Sequence, residues 1–194
     1  MNANVGMLSP VAATVQTYTA GSSISYNTGK VLAEAVSASV NWERADGHFY
    51  GDDVELDTDN GVLGYTIDFE PSGLTDEARG YVLGETVQTN EYTVNSLASP
   101  DVGFGYVRVM RTTNSSGVVE NSYEGWWYYK LKFGVSSEET RTKERNIEWR
   151  TPTLNGVGSG IKLSSADTLS FAVHKTFTSA ADAIAYVKGK AGIT

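Results

Sequence analysis

A chain of 194 residues without one cysteine has no disulfide and no thiolate metal site to lean on, so its fold must rest on packing, and the length is enough for one large β domain. Its net charge of −8 is unevenly spread: residues 1–42 hold one acid and one base, residues 43–101 hold 14 acids and 2 bases, and residues 102–194 hold 8 acids and 12 bases. No stretch approaches the about 20 apolar residues of a membrane helix, and the opening "MNANVGMLSPVAATVQ" has neither the basic start nor the apolar run of a signal peptide, so neither membrane insertion nor export by that route is expected.

Short alternating runs separated by Gly, Ser, Thr and Asn predict an antiparallel sandwich or barrel. Residues 1–24 read as an N-terminal arm. The first long strand is predicted over Val31–Trp42, with Val36, Ala38, Val40 and Trp42 on one face. Residues 45–61, "ADGHFYGDDVELDTDNG", are too polar and glycine-rich for a core element and read as a long acidic loop or a protruding ribbon. The strand "GVLGYTIDFE" follows, with a bulge expected around Gly64. In "TDEARGYVLGE", Thr75 reads as the N-cap of a helix that carries Asp76 and Glu77 in its first turn and Ala78, Tyr81 and Val82 on one stripe.

A central hairpin spans residues 102–133: "VGFGYVRVMR" runs up to Arg111, "TTNSSG" makes the loop, and the return strand runs from Val118 to Phe133. That return strand would reach about 50 Å at about 3.3 Å per residue, long enough to project beyond its own sheet. Pro152 suits an edge position in "IEWRTPTLNGVGSGI". "DTLSFAVHKTF" points Leu169, Phe171 and Val173 inward with His174 on the other side. The chain closes on a helix over residues 178–189, capped by Thr178 or Ser179, with Ala180, Ile184 and Val187 as its stripe. No internal repeat or linker divides the chain, so residues 1–194 read as a single domain.

The stretch "EGWWYYKLKF" is the densest aromatic run. At a period of two, Trp127, Tyr129, Leu131 and Phe133 share an apolar face, while Trp126, Tyr128, Lys130 and Lys132 share a mixed one. A face of two rings and two ammonium groups is amphipathic and asks for a cover.

Catalytic and metal signatures are absent from the pattern. The two histidines, His48 and His174, stand 126 positions apart without an HExxH-type spacing. "DTDNG" lacks the third oxygen ligand and the closing glutamate of an EF-hand. "GVGSG" and "GFG" do not open helices, so phosphate cradling by helix amides is unavailable, and no G-x-S-x-G elbow occurs. The expectation is a protein that is not an enzyme and takes no cofactor and no metal. The charge partition reads either as solvated acidic loops or as acidic and basic surfaces that meet between copies.

Several pieces in order carry a resemblance: "ISYNTGKVLAEAVSASVNWERADGHFYGDD", "YVLGE", "DVGFGYVRVMR", "WWYYKLKFGVSSEETRTKERNIEWRTPTLNG" and "FTSAADAIAYV". Together, from about Ser25 to about Val187, they resemble the major tail tube protein of long-tailed phages, of the kind common among siphophages of Gram-positive hosts. The most specific part is a "GFGY" strand, an aromatic strand ending "KLKF", a "SEET" turn and a "TPTL" strand. The amino terminus, "MLSPVAATVQTYTAG", matches only loosely.

The resemblance implies a mainly β protein, a two-sheet sandwich or barrel with one or two short helices and a long protruding hairpin. It also implies six-fold rings of the chain itself, stacked into a virion tail tube around a tape measure protein. Tail tip or baseplate and tail terminator proteins would be further partners, assembly would take place in the host cytoplasm, and double-stranded DNA would pass through without specific binding. On that reading His48, Phe49, Tyr50, Asp52, Asp53, Trp126, Tyr128, Lys130 and Lys132 are the candidate contacts between subunits or rings. Glu55, Asp57 and Asp59 are candidates for the lumen or for a complementary acidic surface. A phage-derived particle or a secretion-system tube would use the same general fold. The alternative is a carbohydrate-binding sandwich in which Trp126 and Tyr128 stack on sugar rings.

Overall fold

The computed structural model describes residues 2–51, 54–88, 91–94, 98–113, 117–137, 151–165 and 168–193. The chain is mainly β, antiparallel throughout, with two helices. In order it forms β1 (Asn2–Thr19), β2 (Ser23–Tyr26), β3 (Lys30–Val31), β4 (Ala35–Arg44), β5 (Gly47–Gly51), β6 (Val54–Asp59), β7 (Val62–Pro71), α1 (Asp76–Leu83), β8 (Thr86–Gln88) and β9 (Glu91–Thr93). There follow β10 (Val102–Thr113), β11 (Val119–Ser137), β12 (Thr153–Ser159), β13 (Ala172–Phe177) and α2 (Ala180–Lys190). One hydrogen-bonded path runs β2, β1, β10, β11, β12, β7, β4, with β13 attached to β11 and β3 to β1.

The two layers expected of a sandwich come from this single sheet curling over itself. Phe69 on β7 and Phe104 on β10 stand three strands apart on the path, roughly 14 Å if the sheet were flat, yet their ring centroids are 5.2 Å apart. Between the layers lies a core of Tyr65, Ile67, Phe69, Phe104, Tyr128, Leu131 and Phe133. A second cluster, on the other side of β1, β10 and β11, is sealed by α2: Val11, Ala13, Val107 and Trp127 pack on Ala183, Val187 and Ala191. The helix can come this close because the sheet beneath it lacks side chains at Gly105 and Gly125. A Cβ at Gly125 would lie 2.8 Å from the Tyr186 ring and 3.1 Å from Val187.

The alternation expected for the aromatic strand is overturned by a bulge. Val102 stands opposite Leu131 and Phe104 opposite Tyr128, so Tyr129 and Lys130 together face Gly103 alone. The extra residue flips the phase. Tyr128, Leu131 and Phe133 share the main core, and Trp127 points to the α2 side instead. Both carbonyls at the bulge and one of its N–H groups are captured. Tyr26 donates its hydroxyl to the Tyr129 carbonyl at 2.7 Å, Tyr65 donates to the Lys130 carbonyl at 3.1 Å, and the Tyr129 N–H donates to the Phe171 carbonyl at 3.1 Å.

Other expectations fare unevenly. The N-terminal arm is no arm: β1 pairs with β10 from Asn2 to Thr14 and buries Val11, Ala12 and Ala13 completely. A bulge at Ser9 and Pro10, with Ser9 at φ 48°, accommodates the proline within a strand. The strand expected from Val31 begins instead at Ala35, and its Val36 and Trp42 stay 57% and 38% exposed. Residues 47–51 and 54–59 form a ribbon, β5 paired to β6 and separate from the main sheet. The bulge expected near Gly64 falls at Leu63, between the pairs Glu43–Gly64 and Arg44–Val62.

Both helices form where expected, α1 with a capping hydrogen bond and α2 without one from the Ser179 side chain. Thr75 accepts the Ala78 N–H at 3.2 Å, and Gly84 ends α1 in the left-handed conformation at φ 72°. Arg79, buried on α1, makes a two-pronged ion pair with Glu85 at 3.0 and 3.2 Å. α2 starts after Ser179 and runs one residue past Gly189.

Tyr65→Phe removes the donor to a buried bulge carbonyl and keeps the ring, so it should cost about 1–3 kcal/mol of stability. Urea unfolding measures it as a lower midpoint with an unchanged slope.

Candidate assembly surfaces

The bulge decides where the predicted contact residues stand. Trp126 is half-buried and Tyr128 is 1% exposed, so Tyr128 belongs to the core and is withdrawn as a contact residue. Lys130 and Lys132 leave the aromatic pair and meet at Asp101, with Nζ to carboxylate distances of 3.4 and 3.9 Å. The Lys130 ammonium also lies 5.5 Å from the centroid of the Tyr18 ring. The mixed face of two rings and two lysines therefore does not exist as one surface.

What the structure gathers around Trp126 instead is a cross-strand cluster. Tyr106, Trp126 and His174 are register partners across β10, β11 and β13, and Arg108, Glu124 and Thr176 form the next row. His174 stacks on the indole at 4.4 Å and 15°, and the Arg108 guanidinium lies 4.9 Å from its centroid. Glu124 accepts the indole N–H at 3.0 Å and stands 3.7 Å from Arg108. Arg108 Nε is buried without a hydrogen-bond partner. The cluster floors a cleft of about 480 Å³ between β1 and β4, walled by Met7, Val36, Val40 and Trp42. Sequence reading missed Arg108 and Glu124. The alternation Phe104, Tyr106, Arg108 places the arginine on the aromatic face, but only the pairing register brings Glu124 beside it.

The ribbon residues fall apart from this cluster. His48 bonds the Asp46 carboxylate at 3.0 Å, and Asp59 accepts the Gly61 N–H at 3.0 Å in a local turn. Phe49, Tyr50, Glu55 and Asp57 lie on the β5–β6 backbone ladder. Asp52 and Asp53 lie outside the described residues.

Several strand borders and one face are left without cover among the described residues. Nothing there pairs with the outer edge of β4, of β13, or of the short β2 and β3. From Val36 to Trp42 that β4 border, "VSASVNW", carries no charge. The outward face of the β11 end, β12, β7 and β4 reads in rows: Lys132, Val157, Thr66, Asn41, and then Gly134, Asn155, Asp68, Ser39. Ser37 bonds Glu70 at 3.1 Å, and Asn155 bonds Asp68 at 2.7 Å. Apart from Lys132, Glu70 and the exposed Val157, these rows are built of short polar side chains and glycine. Among the described residues no group of three or more His, Asp or Glu side chains could hold a metal ion.

No protein-family model matches this chain, and no curated protein matches it.

Burial raises the hydroxyl pKa values of Tyr26, Tyr65 and Tyr128 well above the ordinary tyrosine value, with desolvation the leading cause in each. The folded state then keeps protons that the unfolded chain gives up above about pH 10, so stability is full below that point and falls as pH rises through it. Urea midpoints taken from about pH 8 to about pH 12 should drop steeply past pH 10, and tyrosinate absorbance from the buried rings should appear together with unfolding.

Proposed function

We propose that this chain is a structural subunit that acts only as a polymer: a tail tube protein whose copies join edge to edge into rings and stack into a hollow tube for DNA delivery. The observation that carries the reading is the bare border of β4. Folded proteins blunt exposed edges with lysine, proline, bulges or a covering element, because an open row of N–H and C=O groups recruits other strands. β4 has a bulge at its start, at Val36, but from Ser37 to Trp42 its register is unbroken and holds no charge and no proline, and Val36 and Trp42 stay exposed along the border. A second copy that adds a strand there would satisfy the border and cover Val36 and Trp42.

The β5–β6 ribbon supports the same reading. Among the described residues it pairs with itself and not with the main sheet, and residues 45–61 hold acids without a lysine or arginine. Charge of one sign on this separate element and of the other over residues 102–194 suits head-to-tail stacking, a heterologous contact that propagates. Tape measure, tail tip or baseplate, tail terminator and transiting DNA are the partners that this role would bring, and the virion tail its place. No reaction is assigned to the chain.

The carbohydrate reading requires an open aromatic platform. Trp126 has His174 against it at 4.4 Å and Arg108 at 4.9 Å, and Tyr128 is buried. A glycan array probed with this protein should give no specific signal.

Electron microscopy of concentrated protein should show six-fold rings or tubes. Solitary particles at every concentration, even beside tail-initiation components, would sink the proposal. Val36→Lys places a charge on the exposed border and should leave a folded, soluble monomer that makes no tubes. Removal of residues 45–61, bridged by a short glycine linker, should likewise keep the fold and abolish stacking; tubes of normal length from that variant would refute the role of the ribbon.

A further inference from the structure

Among the described residues, the face of β4, β7, β12 and the end of β11 that points away from the core carries carboxylates and few cations. Its rows hold one cation, Lys132, against Glu43, Asp68 and Glu70. Among the described residues Asp68 and Glu70 are held by neutral groups, the Asn155 amide and the Ser37 and Thr151 hydroxyls. Lys132 is treated differently. Together with Lys130 it is drawn to Asp101, and the Asp101 backbone is itself pinned where its carbonyl accepts the Val15 N–H at 2.8 Å.

We propose that this face is the wall past which duplex DNA moves, and that Asp101 is the positioning residue that stops the wall from holding it. The proposal rests on the tube reading given above. A lysine presented to a duplex displaces condensed counterions and gains salt-dependent affinity, and two adjacent lysines gain it twice. One shared carboxylate halves that charge and turns both ammonium groups toward itself. The side chains of Lys132 and Asp101 are 51% and 34% exposed, so such pairs add little to stability. Their consequence is the local field. With the lysines engaged, the face offers a polyanion hydroxyls, amides and carboxylates, a surface with low friction and no anchor.

The test uses soluble full-length protein and a short fluorescent DNA duplex at low salt. Asp101→Asn should bind the duplex roughly tenfold more tightly than the parent, with the gain lost as salt is raised. Asp182→Asn removes the same charge from α2, where Asp182 is exposed on another surface, and should bind like the parent. The double variant Asp101→Asn/Lys132→Gln should return to the parent level, which separates released lysines from a damaged fold. Equal binding by Asp101→Asn and Asp182→Asn, or a double variant as tight as the single one, would overturn the role of Asp101.

The wall itself is located with cysteines, since the parent chain has none. In assembled tubes Ser39→Cys should react with a small maleimide and resist one carrying a long polymer, whereas Asp182→Cys should react with both. Tubes in which the two sites label alike would refute the wall while leaving the tube reading intact. Failure of the parent to form any tube would remove the tube reading and the wall with it, and the duplex comparison would still decide what Asp101 does.

Discussion

Tyr129 and Lys130 stand side by side opposite Gly103, and the geometry of the whole sheet follows from that extra residue. Without it, β11 would present one unbroken apolar side and one unbroken mixed side, and could serve a single layer. With it, the first half of the strand places Trp127 under α2, and the second half places Leu131 and Phe133 in the main core beside Tyr128. One strand of 19 residues thereby joins β10 and β13 at one end to β12 at the other. Gly103 is the necessary partner, since a Cβ there would come within 2.4 Å of the Trp127 ring and 2.7 Å of the Tyr26 ring. The hydroxyls of Tyr26 and Tyr65 hold the two displaced carbonyls, so the tyrosines that pack the core also fix the kink.

Much of this was legible in the residues, because local chemistry determined it. The α1 cap at Thr75, the stop at Gly84, the hairpin between Arg111 and Val119 and the helix after Ser179 follow from short-range rules that tertiary structure did not override. The phase flip in "WWYYKLKF" was hidden because a bulge leaves no reliable mark in its own strand; here the mark lies on the partner, in the glycine of "VGFGY". Nothing in the local pattern marked β1 as a strand of the main sheet, since Pro10 and the Ala12–Ala13 pair are poor strand formers. They are tolerated because Ser9 and Pro10 sit in a bulge and because Ala12 and Ala13 lie where facing layers leave no room for larger side chains.

The surface cluster was only half legible for a related reason. Alternation assigns a side chain to a face, but a site needs residues from neighbouring strands, and register supplies those. Trp126 is enclosed by Arg108 from β10 and His174 from β13, residues 18 positions before it and 48 after it in the sequence. The polar face behaves in the same way: Lys132, Thr66 and Asn41 form a row that no segment of the sequence announces. Composition hinted at it, since the acidic middle of the chain contributes Glu43, Asp68 and Glu70. It did not say that these carboxylates share a face with one lysine whose charge is already engaged.

The bare borders of β4 and β13 also constrain how copies could join. Pairing β4 with β4 would be isologous, each copy presenting the same edge to the other, and growth would stop at a dimer. Pairing β4 of one copy with β13 of the next is heterologous; it leaves one border of each kind open at every step and continues until rotation closes a ring. Charge is compatible with the second arrangement: β4 ends in Glu43 and Arg44, both exposed, and the first of these can face exposed Lys175 of β13. Because both borders belong to strands tied into one continuous curled sheet, a neighbour added at either would prolong the same sheet, and the uncovered polar face would run on from copy to copy around one axis.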